Sequence, residues 1–158
     1  MNQKFKTVVV GGTFDELHKG HKALLLKAFD AGDHVIIGLS TNDLARKLKR
    51  NHEVTSYKKR LKELNDFLKE QGVLSKAEIV PLRTPYGITL SKGCAEALVV
   101  SRETETRAKE INQKRKAKGL PPLHVIVIEM VPAENSIPIS TTRIKRREID
   151  RKGRLLKS

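Results

Sequence analysis

Five apolar runs of strand length constrain this chain more than any other feature: TVVVG (7–11), HVIIGL (34–39), AEIVPL (77–82), ALVVS (97–101) and HVIVIEMV (124–131). Each is nearly continuous and rich in β-branched residues, where a half-exposed strand would alternate apolar with polar positions. Such runs fit strands buried on both faces, an arrangement that belongs to parallel sheets covered by helices. Helical patterns lie between them. Residues 19–31 direct Ala23, Leu24, Leu26, Ala28 and Phe29 toward a core, with Gly32 as a stop. Residues 56–71 carry the stripe Leu61, Leu64, Phe67 and Leu68, closed by Gly72. Glu103 to Lys118 forms a third, more polar helix ending at Gly119, ahead of Pro121 and Pro122, and a short last helix is expected from Ser140. The order β-α-β-α-β-β-α-β-α predicts an α/β fold: a doubly wound, five-stranded parallel sheet with right-handed connections. The 158 residues are expected to form one domain, 1–158.

Charge narrows the partners. The 32 Lys and Arg outweigh 18 Asp and Glu, for a net charge of +14, which taken alone suggests a nucleic acid or another polyanion. The basic residues are spread out, however, as RKLKR (46–50), KKRLK (58–62) and QKRKAK (113–118), with acids among them. A Lys-rich surface around an anionic small-molecule site accounts for this better than a specific nucleic-acid interface. One cysteine, Cys94, offers neither an intrachain disulfide nor a metal cluster. No segment reads as a signal peptide or a membrane span, so a soluble, cytoplasmic protein is expected.

The chemistry concentrates at GGTFDELHKGH, residues 11–21, where the first strand gives way to the first helix. Ligands of open parallel sheets bind at the carboxyl ends of strands. Gly11 and Gly12 let a ligand approach the backbone, and Thr13 adds a hydroxyl and an amide where a phosphate can lie. His18 and His21 stand three apart at the helix entrance, where free amides and the helix dipole favour anions and disfavour imidazolium. Neutral rings donating hydrogen bonds to phosphate oxygens are therefore expected, with Gly20 keeping the space between them open. Zinc would want a third ligand and a nearby glutamate as in HExxH, and neither is evident. A GxGxxG dinucleotide fingerprint is absent.

The string GGTFDxxHxGH resembles the signature of the HxGH nucleotidylyltransferase superfamily, whose members transfer a nucleoside monophosphate from an NTP to a phosphate or related acceptor. PISTTRI (138–144) is similar to the superfamily's second element, ISSTxxR, with Thr141 standing where relatives often have a second serine. GLSTNDLARK (38–47), TSYKKR (55–60), VVSRET (99–104), INQKR (111–115) and the tail from Pro138 resemble the archaeal and eukaryotic type of phosphopantetheine adenylyltransferase over almost the whole chain. Relatives often carry Gly where this chain has Arg147, and in bacterial members the first motif reads TxGH, so that His21 is the histidine common to both patterns.

That resemblance implies a Rossmann-like nucleotidylyltransferase fold and the reaction of ATP with 4'-phosphopantetheine to give dephospho-CoA and pyrophosphate. It implies an ATP site of Gly12, Thr13, Phe14, His18, His21, Arg102, Asn112, Arg115, Ser140, Thr141 and Thr142. Thr13, Lys47 and Arg102 would hold the phosphopantetheine phosphate, with His21, His18 and Lys47 (or Lys49) as the catalytic group. TPYGITL (84–90) is a candidate wall for the pantetheine arm. Mg2+ would arrive with ATP and need no dedicated protein ligands, CoA is a further candidate ligand, and a monomer is favoured. The alternatives are another HxGH enzyme, a cytidylyltransferase or FAD synthetase, and a basic nucleic-acid-binding module. AENSIPIST (133–141) in place of RTxGIST argues against the cytidylyltransferase branch.

Overall fold

The computed structural model describes residues 5–48, 53–91 and 93–129. Its five strands are β1 (Phe5–Gly12), β2 (Gly32–Ser40), β3 (Ala77–Leu82), β4 (Ala97–Ser101) and β5 (His124–Ile128). They form one parallel sheet in the order β3-β2-β1-β4-β5. The chain builds outward from β1 in one direction, then crosses back to build the other half. That reversal falls between β1 and β4, where the loops leaving two neighbouring strands diverge and open a crevice.

The apolar runs are continuous because both faces of the sheet are covered. On one face Val8, Val10, Val35, Ile37, Leu39 and Val99 pack under α1 (Lys19–Ala31) and α3 (Tyr57–Glu70). On the other, Val9, Ile36, Leu98 and Val100 meet Ala108 and Ile111 of α4 (Glu105–Ala117) and the nearby Leu123. Ser56 caps α3 by accepting the Lys59 amide at 3.3 Å, and Leu64, Phe67 and Leu68 fill the expected stripe.

Two local expectations are corrected. In α1 the core takes Leu25, Ala28 and Phe29, while Leu26 is 43% exposed. A run of three leucines gives no phase by itself, and packing on the sheet sets it. The stretch after β2, which carries no helical pattern among those read from the sequence, is a helix, α2 (Asn42–Leu48). Gly32 ends α1 as expected, with extended backbone (φ −134°), whereas Gly72 and Gly119 adopt the left-handed conformation.

Glycine is required at position 32 for space: a Cβ there would lie 2.5 Å from Cγ2 of the fully buried Val8. Gly32→Ala is expected to cost about 1–3 kcal/mol through overpacking, read as a lower urea midpoint with an unchanged slope. An unchanged midpoint would show that β1 and β2 shift apart without penalty. The helix expected from Ser140 lies outside the described residues. Among the described residues no helix is long and apolar enough to cross a membrane.

Candidate active site

The turn from β1 into α1 is built around two histidines that cap one helix reciprocally. His18 is the N-cap, and its Nδ1 accepts the amides of Gly20 (3.1 Å) and His21 (3.3 Å). His21 returns the contact, its Nδ1 accepting the His18 amide at 3.2 Å. This is a capping box made from imidazoles in place of the usual hydroxyl and carboxamide. The rings stack at 3.6 Å and 18°. A ring nitrogen that accepts an amide carries no proton, so each neutral ring holds its proton on Nε2. The backbone thus selects one tautomer for both rings and makes each Nε2 a donor.

Phe14 and Glu16 reach this arrangement through left-handed backbone, φ 50° and 51°, at a cost on the order of 1–3 kcal/mol each. The Phe14 ring is buried and meets His21 edge-on at 5.5 Å. It also lies against Gly12, where a Cβ would come within 3.2 Å of it. Thr13 is buried, its hydroxyl donating to Ser40 Oγ at 3.4 Å, and Ser40 Oγ donates on to the Gly12 carbonyl at 3.4 Å. The β1 and β2 ends are thereby joined at the level of the turn.

Beside this turn lies a cavity of about 640 Å³. Its floor is the α4 side of the sheet, Val9, Ile36, Leu98 and Val100, and residues 82–89 line one wall. Gly12, Thr13 and Ser40 border it at the strand ends, and Thr104, Arg107 and Glu110 add polar groups from the start of α4 and the turn before it. Tyr86 Oη donates to Glu110 Oε2 at 3.4 Å across the cavity's lining, with Lys114 Nζ 5.0 Å from the Tyr86 ring centre. The volume and the apolar floor suit a small-molecule arm carrying a few polar groups.

The residue that sequence reading missed is Arg60. It is 1% exposed, within α3. Its Nη1 donates to the carbonyls of Ser40 (2.7 Å) and Thr13 (3.0 Å), Nε to Thr55 O (2.7 Å) and Nη2 to Asn42 Oδ1 (3.3 Å). Burial pulls this guanidinium down from its ordinary value, with Asp15 and Tyr57 acting the other way. Asp15 accepts the Thr55 amide at 3.3 Å, so one buried network ties the ends of β1 and β2 to the approach to α3. A phase signal existed: Arg60 falls on the same stripe as Leu64, Phe67 and Leu68.

Two of the expected ATP residues carry structural hydrogen bonds. Asn112 exchanges two hydrogen bonds with the Leu123 backbone, 3.0 Å as donor and 2.8 Å as acceptor, fixing the return from α4 to β5. Arg115 is 2% exposed and donates to the carbonyls of Thr89 (2.7 Å), Ser91 (3.1 Å) and Pro121 (2.8 Å). Both therefore hold loops together. Arg102 follows β4 directly and is exposed, paired with Glu129 at 2.5 Å and Glu105 at 3.2 Å. Its hydrogen bond and attraction to Glu129, then Glu105, raise its pKa further above the ordinary arginine value. Lys47 is exposed in the last turn of α2, next to Leu48, which reaches the cavity. Lys49, Ser140, Thr141 and Thr142 lie outside the described residues.

The β1–α1 turn with its paired histidines, set on a parallel sheet of order 3-2-1-4-5, falls within a recognised class. The family model described as cytidylyltransferase-like matches residues 9–147, and the chain belongs to that family. Within it the chain belongs with the phosphopantetheine adenylyltransferases. It is 43% identical to the protein of that name from Methanothermobacter thermautotrophicus, over 99% of this chain and 93% of the relative. It is 45% identical to the one from Methanosarcina mazei, over 95% and 97%. Among solved structures, a protein of unknown function from Archaeoglobus fulgidus superposes with a TM-score of 0.70 at 35% identity, covering 77% of this chain and 88% of that one.

Proposed function

We propose that the chain transfers the adenylyl group of ATP to 4'-phosphopantetheine, releasing pyrophosphate and leaving dephospho-CoA. The observation that carries this reading is the reciprocal histidine cap beside a cavity of about 640 Å³: two Nε2 donors at a helix N-terminus, next to room for an elongated arm that carries a few polar groups. Kinship with archaeal phosphopantetheine adenylyltransferases supports the same choice of substrates.

In this mechanism a phosphate oxygen of the acceptor attacks the α-phosphorus of ATP. The bond to the bridging oxygen breaks on the far side, and pyrophosphate leaves with the electron pair. A phosphate monoester has a second pKa of about 6 and is largely ionised at neutral pH, so the nucleophile needs no general base. The protein's task is alignment and charge neutralisation. His21 donates from Nε2 to the α-phosphoryl oxygens, His18 holds ATP alongside, and the Gly12–Thr13 backbone takes the acceptor phosphate where the cavity meets the turn. Arg102 and Lys47 supply positive charge from the turn after β4 and from α2, Arg102 by exchanging a carboxylate partner for phosphate. Ser140, Thr141 and Thr142 complete the ATP site, and the arm of the acceptor lies along residues 82–89. Among the described residues no three His, Cys, Asp or Glu side chains converge to hold a metal. Mg2+ would enter on ATP, with phosphate oxygens and water as ligands.

The deciding experiment offers the purified protein ATP or CTP with phosphopantetheine, glycerol 3-phosphate or FMN and follows pyrophosphate. Release with ATP and phosphopantetheine alone is expected. Release only with CTP, or only with another acceptor, would move the chain to a different branch of the family.

A further inference from the structure

Arg60 is a buried cation that the mechanism above does not use, although it lies directly beneath the residues that do. We propose that Arg60 is a positioning residue for adenylyl transfer: its guanidinium, clamped between the Thr13 and Ser40 carbonyls, fixes the Phe14 turn and, through the Phe14 ring, the direction in which His21 donates. This rests on the adenylyl-transfer reading of the site.

The geometry runs in a single line. Arg60 Nη1 spans the β1 and β2 ends, 3.0 Å from Thr13 O and 2.7 Å from Ser40 O. A trans peptide places its N–H opposite its C=O, so holding the Thr13 carbonyl also fixes which way the Phe14 amide points. The next residue is the one with φ 50°, a conformation that relaxes unless its neighbours over-determine it. The Phe14 ring, so placed, abuts His21 edge-on at 5.5 Å. The Ser40 bond does the same for β2: with its carbonyl held, the following Thr41 amide reaches Leu82 O at 3.0 Å and anchors the first residue of the cavity wall. A planar guanidinium can serve Thr13, Ser40, Thr55 and Asn42 at once. A lysine ammonium, shorter and without the fork, cannot span the same acceptors.

The test compares wild type, Arg60→Lys, Phe14→Leu and the double variant, each assayed below its melting temperature with ATP and phosphopantetheine. Arg60→Lys is expected to lower kcat by about 10- to 100-fold, with smaller changes in KM, since misplacement far from the reacting atoms costs rate rather than binding. Phe14→Leu should also lower kcat, and the double variant should be no slower than the slower single variant, because both act through one contact. A kcat for folded Arg60→Lys within twofold of wild type, or losses that multiply in the double variant, would overturn the proposal. Should Arg60→Lys not fold, Phe14→Leu decides: undiminished kcat there removes the route from Arg60 to His21. If wild type itself releases no pyrophosphate, the adenylyl-transfer reading falls. The positioning claim is then judged by the imidazole nitrogen resonances of His21, which must move in Arg60→Lys for it to stand.

Discussion

His21→Ala is expected to leave a folded protein whose pyrophosphate release with ATP and phosphopantetheine is slower by about 100- to 1,000-fold, the loss typical of removing one preorganised donor from a developing negative charge. The change deletes one capping acceptor, that for the His18 amide, which costs about 1 kcal/mol of stability. His18 still caps Gly20 and the residue-21 amide, so the helix start survives. The drop should appear in kcat, with KM for ATP changing far less, because the donor acts on charge that grows in the transition state. Weak, steeply salt-dependent binding of oligonucleotides to the +14 surface should be the same in the variant. Full adenylyl transfer by His21→Ala would remove the histidine from the chemistry.

Arg115→Ala is expected to do the reverse. It removes the donor from three carbonyls, those of Thr89, Ser91 and Pro121; the Thr89 bond is buried, and a buried unsatisfied group costs about 1–3 kcal/mol. Ser91 and Pro121 are exposed, so water can take over at their carbonyls, and a net loss of about 1–3 kcal/mol is expected in denaturant unfolding. Measured at a temperature where the variant is folded, KM for ATP should stay within about twofold of wild type, well under the 1.4 kcal/mol that separates tenfold affinities. A large rise in that KM, with little loss of stability, would return Arg115 to the nucleotide site.

These two arginines show where the sequence is opaque. The strands were legible because each holds a β-branched pair or run at its centre, and the central strands are covered on both faces, so no strict alternation could mislead. The β1–α1 turn was legible because glycines, a hydroxyl and paired histidines rarely crowd one strand end for packing alone. Arginine, by contrast, reads as surface. Arg60 sits in the basic stretch KKRLK and Arg115 in QKRKAK, and average composition argues for solvent in both cases. Phase argues otherwise: Arg60 precedes Leu64 by four residues, and Arg115 follows Ala108 and Ile111 by seven and four, each on its helix's buried side. Asn112 carried no such signal, because its partner is the backbone of Leu123, across the α4–β5 return. The seven-residue α2, with only Leu44 and Ala45 buried, is too short for its period to show.

The reciprocal cap has a consequence for how the enzyme spends its conformational entropy. The atoms that begin α1 are the atoms that orient both imidazoles, so the freedom of the two rings is surrendered once, during folding, and not again at each turnover. It also sets what position 18 tolerates. Any side chain able to receive the helix's leading amides can keep His21 aimed, and threonine, which stands there in bacterial relatives, is such a residue. Under the proposed mechanism position 21 has no such latitude, because its side chain must accept an amide with one nitrogen while offering a proton from the other.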